Sequence, residues 1–453
     1  MGPKRKAAQL TRINNNEPIR AKNAAKKAKS KIDEDVENEP LPSGPSSLCS
    51  RNRVRPPAHL VGVLQGHGHG LVGHFNLERF SRLPIIEEIS HYGVFKSVTP
   101  FDTRTTSLAW HPSSPSLCAV GSKWGDIMLW NYQADNFQNL EPGRGPGGSI
   151  LAMKFDIEND CRLYTCSIDG KMAVQDFVGQ KSRVFLSTDD WEHWYTSFDV
   201  SFTGGTVITG DNKGFVTLMT KDGEVVWRSR LHPKKVTNLQ FSPREPYLLI
   251  STSVDNSVKV WDIRNIKDRK SALASLEHDK PVNSAYFNPV NGTRLLTTDQ
   301  HSQLRVYRSP HWDLERLIPH PHRQFQHLTP IKATWHPLAD IVLAGRYPHD
   351  QFPGYEAGEQ RSVDFIDPDD GKMLFQLTQP GMNNIISLNL FSPSGDAMLS
   401  GMSSTVLIWK PKPKFEMDEK LYKETESNIK DLMVEEWPEH RPKRAKNKKK
   451  TRT

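Results

Sequence analysis

The chain has 453 residues, with 60 Lys and Arg against 52 Asp and Glu and a net charge of +8 with neutral histidines. Hydrophobic residues make up only 36%, which predicts polar tails around an aromatic-rich core that must house most of the 11 Trp and 19 Phe. No apolar run nears the roughly 18 residues of a membrane span. Met1-Gly2-Pro3-Lys4-Arg5-Lys6 lacks a signal peptide's apolar stretch, and Cys49, Cys118, Cys161 and Cys166 have neither zinc nor disulfide spacing. The expectation is an intracellular protein with reduced thiols.

In chain order, residues 1–31 carry ten Lys/Arg and the single acid Glu17, a charge of +9. Residues 440–453 carry eight Lys/Arg and no acid, a charge of +8. Between them, 32–58 is −2 (three Arg, five acids) and 412–439 is −4 (five Lys, nine acids), which leaves 59–411 at −3. The basic ends are too poor in apolar residues to bury. They suit nuclear import and attraction to polyanions, or simple solubilisation. Residues 75–89 show apolar residues at helical intervals with a break at Pro84, which predicts one or two short helices that either pad the fold or dock into a partner.

From residue 100 a short pattern recurs, an apolar residue, a variable one, an aromatic, then a polar residue and often Pro. It centres on Trp110, Phe155, Val200, Phe241, Phe287, Trp335 and Phe391, at steps of 45, 45, 41, 46, 48 and 56 residues. Most copies lead into a second apolar stretch and then a third strand such as Ile127-Met128-Leu129-Trp130 or Val258-Lys259-Val260-Trp261. Short β-branched and aromatic strands on this period predict an all-β, seven-bladed WD-repeat propeller. Only the fourth copy has the Trp261-Asp262 dipeptide, and the repeat copies lack the Gly-His signature.

A propeller presents loops on two faces. Loops leading into the first strand of a blade share a face with turns between its second and third strands. That rule gathers Arg104, Lys123, Lys234, Lys235, Arg346 and Tyr347, with the long stretch 308–330, into one positive rim suited to phosphates. Within 308–330, His320, His322 and His327 admit a metal reading that lacks a nearby Cys or carboxylate. Phe325 among Gln, His and Arg fits an apolar wedge that unstacks base pairs from the minor groove. On the opposite face lies Trp261-Asp262-Ile263-Arg264, whose Arg either meets a partner's carboxylate or carbonyl or forms a surface ion pair within the propeller.

Several strings coincide with one family. They are Pro100-Phe101-Asp102, Ser107-Leu108-Ala109-Trp110-His111-Pro112, Val120-Gly121-Ser122-Lys123 and Leu296-Thr297-Thr298-Asp299-Gln300, and the longest runs unbroken from Ile318 to Pro337. Over about residues 100–410 the chain resembles the WD-repeat small subunits of the UV-damaged-DNA-binding complex. The resemblance implies a nuclear, non-enzymatic sensor without cofactors that binds ultraviolet photoproducts in double-stranded DNA and starts nucleotide excision repair in chromatin. It further implies a substrate receptor of a cullin–RING ubiquitin ligase, held through the large, multi-propeller adaptor subunit. In that family a Phe-Gln-His hairpin enters the minor groove, which assigns the role to Phe325, Gln326 and His327. Phosphate contacts fall to Lys123 and Lys235, with Arg104, Arg346 and Tyr347 on the same rim. Trp194 (or Trp191) lies near the lesion pocket, and Trp261, Asp262 and Arg264 support adaptor binding. Thr103 departs from the family, whose members carry a basic residue there. The organisation expected is a tail over 1–58, an adaptor-docking helical segment over 59–100, the propeller over 101–411 and a charged extension over 412–453. The competing class is a scaffold propeller that binds a histone or peptide and never touches DNA.

Overall fold

The computed structural model describes residues 69–70, 74–139, 148–178, 181–201, 203, 205–322 and 329–412. Both expected tails, apart from Lys412, lie outside these residues.

Seven four-stranded antiparallel sheets make up the propeller. Their innermost strands are Thr105–Trp110, Ile150–Phe155, Tyr195–Val200, Val236–Phe241, Val282–Phe287, Thr334–Trp335 and Ile386–Phe391, for blades 1 to 7. Each ends on a central residue of the sequence repeat. The strands are apolar on both sides because each blade is sandwiched between two others. In Ile127–Asn131, Ile127 and Leu129 pack against blade 2, while Met128 and Trp130 pack against blade 7. The period-two alternation of strand side chains thus serves two cores at once. Seven such clusters lie between successive blades, and Trp130, Trp261 and Trp409 are among their largest fully buried side chains.

The blades also meet at close backbone approaches. A Cβ on Gly345 in blade 6 would stand 1.9 Å from the Ile386 carbonyl oxygen of blade 7, so only glycine fits. Among the described residues no helix is long and apolar enough to cross a membrane.

Two expectations are corrected before the first blade. The segment 59–100 is helical, among its described residues, only over His74–Ser90, helix α1. Tyr92–Val98 is instead a strand, β1, paired antiparallel with Thr405–Pro411, with Tyr92 opposite Pro411 and Val98 opposite Val406. It is the outer strand of blade 7, so the first and last strands of the ring share one sheet. Pro84 does not break α1. A mid-helix proline costs about 3 kcal/mol, and tertiary contacts offset it. Ile85, Ile86 and Ile89 join the core between blades 6 and 7. Arg82 pairs with Asp367 at 3.1 Å and Asp369 at 2.9 Å and donates to the Asp340 carbonyl at 3.1 Å.

The stretch 308–330 is not one loop. Asp313–Pro319 is the outer strand of blade 5, paired with Gln303–Arg308. Its side chains are mostly exposed, so no apolar pattern announced it. The loop leading into blade 6 begins at His320.

Candidate nucleic-acid interface

One backbone hydrogen bond recurs around the ring and fixes which loops share a face. In blade 1 the Lys123 N–H donates to the Arg104 carbonyl at 2.9 Å. The same turn-to-loop bond joins Asn212 to Trp194 (3.1 Å), Val254 to Lys235 (3.0 Å) and Gln300 to Pro281 (3.0 Å) in blades 3, 4 and 5. In blade 6 the Tyr347 N–H donates to the Pro321 carbonyl at 3.0 Å. Arg104, Trp194 and Lys235 therefore occupy corresponding positions, with Lys123 and Tyr347 on the turns beside them. All five lie on one rim.

Their availability differs. Arg104, Lys123 and Lys234 are exposed, and Lys235 is half-buried, with its pKa lowered by desolvation. Arg346 is not a free cation. Its Nε donates to Glu359 Oε1 at 2.7 Å and its Nη1 to Asp364 Oδ2 at 3.1 Å, and little of its side chain meets solvent. It belongs to the blade's own framework. The cation that accompanies Tyr347 is Arg361, 5.1 Å from the ring centroid. Trp191 stands 85% exposed, whereas Trp194 is partly buried.

Sequence reasoning passed over Arg361 and Trp124, which is 72% exposed beside Lys123. The signal for Trp124 was its place in the Gly121-Ser122-Lys123-Trp124-Gly125 turn, off the strand alternation that buries Trp130, Trp261 and Trp409.

Phe325, Gln326 and His327 lie outside the described residues. The flanks of this segment are firmly seated, with His320, His322, Thr329 and Ile331 all buried. His320 Nε2 is 3.2 Å from Asp364 Oδ2, and His322 Nε2 is 2.7 Å from the Asp299 carbonyl oxygen. Burial and the neighbouring His320 lower the pKa of His322 to about 4. These two histidines pin the loop, and His327, the third member of the metal reading, lies outside the described residues. Among the described residues no cluster of three metal-ligating side chains occurs.

On the opposite face, Arg264 is forked onto Asp262, Nε to Oδ1 at 2.9 Å and Nη2 to Oδ2 at 2.7 Å, and its guanidinium carbon lies 4.1 Å from the Tyr247 ring centroid. The surface ion pair within the propeller is formed, and the Arg264 side chain stays exposed. Trp261 presents nothing to a partner directly. It is fully buried, its indole N–H donating to Ser251 Oγ at 2.8 Å. Ser251 Oγ lies 2.7 Å from His232 Nε2, and His232 Nδ1 lies 2.8 Å from Asp255 Oδ2. This chain ties the third strand of blade 4 to the loop leading into it. Comparable His–Asp pairs occur at His193–Asp211, His278–Asp299 and His320–Asp364. Histidine without its glycine neighbour was the repeat signal that sequence reading missed.

Ring, rim and buried His–Asp chains define a WD-repeat propeller with a cationic, aromatic loop face. The WD domain, G-beta repeat model matches residues 223–262, from the outer strand of blade 3 through the Trp-Asp pair of blade 4. The chain is 47% identical over 341 residues to DNA damage-binding protein 2 of Gallus gallus, covering 74% of this chain and 67% of that one. It is 44% identical over 353 residues to the Bos taurus protein of the same name, covering 78% and 83%. It is 30% identical over 336 residues to Protein DAMAGED DNA-BINDING 2 of Arabidopsis thaliana, covering 70% and 59%. The chain belongs to the DNA damage-binding protein 2 family.

Proposed function

We propose that this protein is a nuclear sensor of ultraviolet-damaged double-stranded DNA, a binding protein and not an enzyme. Arg104, Lys123 and Lys235 hold the phosphates of any duplex, which fixes register without reading damage. Phe325 enters the minor groove as a wedge, with Gln326 and His327 beside it, and the photodimer turns out toward the rim near Trp191 and Trp194. Extruding a base costs a few kcal/mol, least where damage has already weakened stacking and pairing, so the same wedge acts more readily at a lesion. The opposite face, with Asp262 and Arg264, takes the large adaptor subunit and through it a cullin–RING ligase acting on chromatin. There Trp261 acts only from inside the blade.

The observation that supports this most is the rim itself, where cations and exposed tryptophans gather on an otherwise near-neutral body beside the loop that carries Phe325. Mobility-shift titrations on irradiated and plain duplex test it. Wild type should prefer the irradiated duplex, and Phe325→Ala should cut that preference by about tenfold, roughly 1.4 kcal/mol of wedge energy. An unchanged ratio removes the wedge from the mechanism.

A further inference from the structure

On the face opposite the rim, helix α1 rests on two loops of blade 6. Arg82 is its ionic foothold, and its three acceptors all come from those loops. They are the Asp340 carbonyl, Asp367 Oδ1 and Asp369 Oδ2. Asp340 precedes the second strand of blade 6, while Asp367 and Asp369 follow its third strand, Val363–Ile366. The side chain that clips the two loops together comes from blade 5. Arg294 donates from Nη1 to Asp340 Oδ2 at 3.0 Å and from Nη2 to Asp369 Oδ1 at 2.6 Å. Its Nε and Nη2 also fork onto Glu315 at 3.0 and 2.7 Å, which fixes the plane of the guanidinium.

Asp369 therefore bridges two arginines, Oδ1 to Arg294 and Oδ2 to Arg82. The side chains of Arg294 and Arg82 are only 8% and 11% exposed, so these charge-assisted bonds are little screened and demand close geometry. Among the described residues Arg294 donates nothing to α1 itself. Its link to the helix runs through the two aspartates. The seat matters because burial of Ile85, Ile86 and Ile89 is not directional, whereas the Arg82 fork is. With the helix so seated, Leu83, Glu87 and Ser90 form one exposed stripe. Arg264 also follows the third strand of its blade, Ser257–Asp262, so α1 and the proposed adaptor contact share a face.

We propose that Arg294 is a positioning residue for adaptor binding. Acting through Asp340 and Asp369, it holds the seat of Arg82 and so presents the Leu83–Glu87–Ser90 stripe to the adaptor in one orientation. The inference rests on reading that face as the adaptor's, and it adds a residue that acts from inside the ring.

Hydrogen exchange and adaptor affinity, both measured on the full chain, test it. Arg294→Lys keeps the charge but cannot fork onto two aspartates and Glu315 at once. Arg82→Met removes the foothold and leaves the pairs of Arg294 in place. Both should speed exchange of α1 amides about tenfold, while the inner strands of blades 5 and 6 keep wild-type protection. Each should weaken binding to the purified large adaptor subunit about fivefold and leave plain-duplex affinity unchanged. The double variant should bind no more weakly than the weaker single one, because both substitutions act through one seat. Asp340→Asn spares the carbonyl that Arg82 uses and weakens the Arg294 clip. It should give the same effects in smaller measure, and it decides the matter if Arg294→Lys does not fold. Unchanged α1 exchange, exchange that rises equally in the blade 5 strands, or additive losses of affinity overturn the proposal and leave the adaptor reading standing. So does full adaptor affinity in the variants despite faster α1 exchange. Wild type that fails to bind the adaptor removes the adaptor reading itself, and this proposal with it.

Discussion

Asp255 is a carboxylate that burial alone would push toward protonation. The hydrogen bond and charge of His232, with Ser257, outweigh burial and hold it at about 2. A folded-state pKa below the unfolded value of about 4 means that the ionised carboxylate stabilises the fold fully above that pH. The contribution is lost as pH falls from about 4 to about 2. At about 1.4 kcal/mol per pKa unit it amounts to roughly 2 kcal/mol. Asp255→Asn should therefore lower the neutral-pH unfolding midpoint by several degrees, and the gap to wild type should close in a pH series that descends through that window. A gap that stays constant with pH would assign the loss to packing instead. Trp261 shows why such chemistry was only half legible. Its dipeptide named the repeat, but the two partners that explain it, His232 and Asp255, lie 29 and 6 residues upstream, and the strand pairing that joins them to Trp261 is not visible in spacing. Arg346 fails differently, since nothing local in the sequence says that Glu359 and Asp364 consume its donors.

At the scale of elements, legibility followed burial. The three inner strands of a blade are apolar and periodic because two neighbouring blades bury them. Outer strands such as Lys181–Ser187 and Val225–Arg230 are mostly exposed and carry no such pattern. The same reason hid Asp313–Pro319 and made one loop of two. Strand β1 was obscured because it completes a sheet with residues more than 300 positions later. Its role is closure. Without it, Thr405–Pro411 would present an unpaired edge and the core around Trp409 would lose the cover of Tyr92 and Val94. A chain beginning after Val98 should lose its single sharp unfolding transition and self-associate, as read by calorimetry and size-exclusion chromatography. A monomer with wild-type midpoint would mean that blade 7 is stable with three strands.

The whole molecule separates its two faces by construction. Inner strands run from the rim that carries Arg104 and Lys235 toward the side where α1 meets Asp340, Asp367 and Asp369, so the length of a strand stands between the two sets of charges. Near neutrality of residues 59–411 makes each patch local, and salt screens exposed charges beyond about 8–10 Å. Face assignment was legible because the order of strands in a blade dictates which loops are neighbours, and the recurring bond from Lys123 to Arg104, repeated in other blades, is its structural expression. Substitutions on the two faces should therefore act independently. Lys123→Glu should weaken irradiated and plain duplex alike and make the salt slope shallower by about 1, leaving adaptor association unchanged. Arg264→His removes the fork onto Asp262 and the cation over Tyr247, and should weaken adaptor capture while duplex affinity of the isolated chain holds. Mobility shift and adaptor pull-down on each variant, and on the double variant, read both effects. Loss of both activities from either single substitution would mean that the faces communicate through the ring, and the separation argued from strand order would fail.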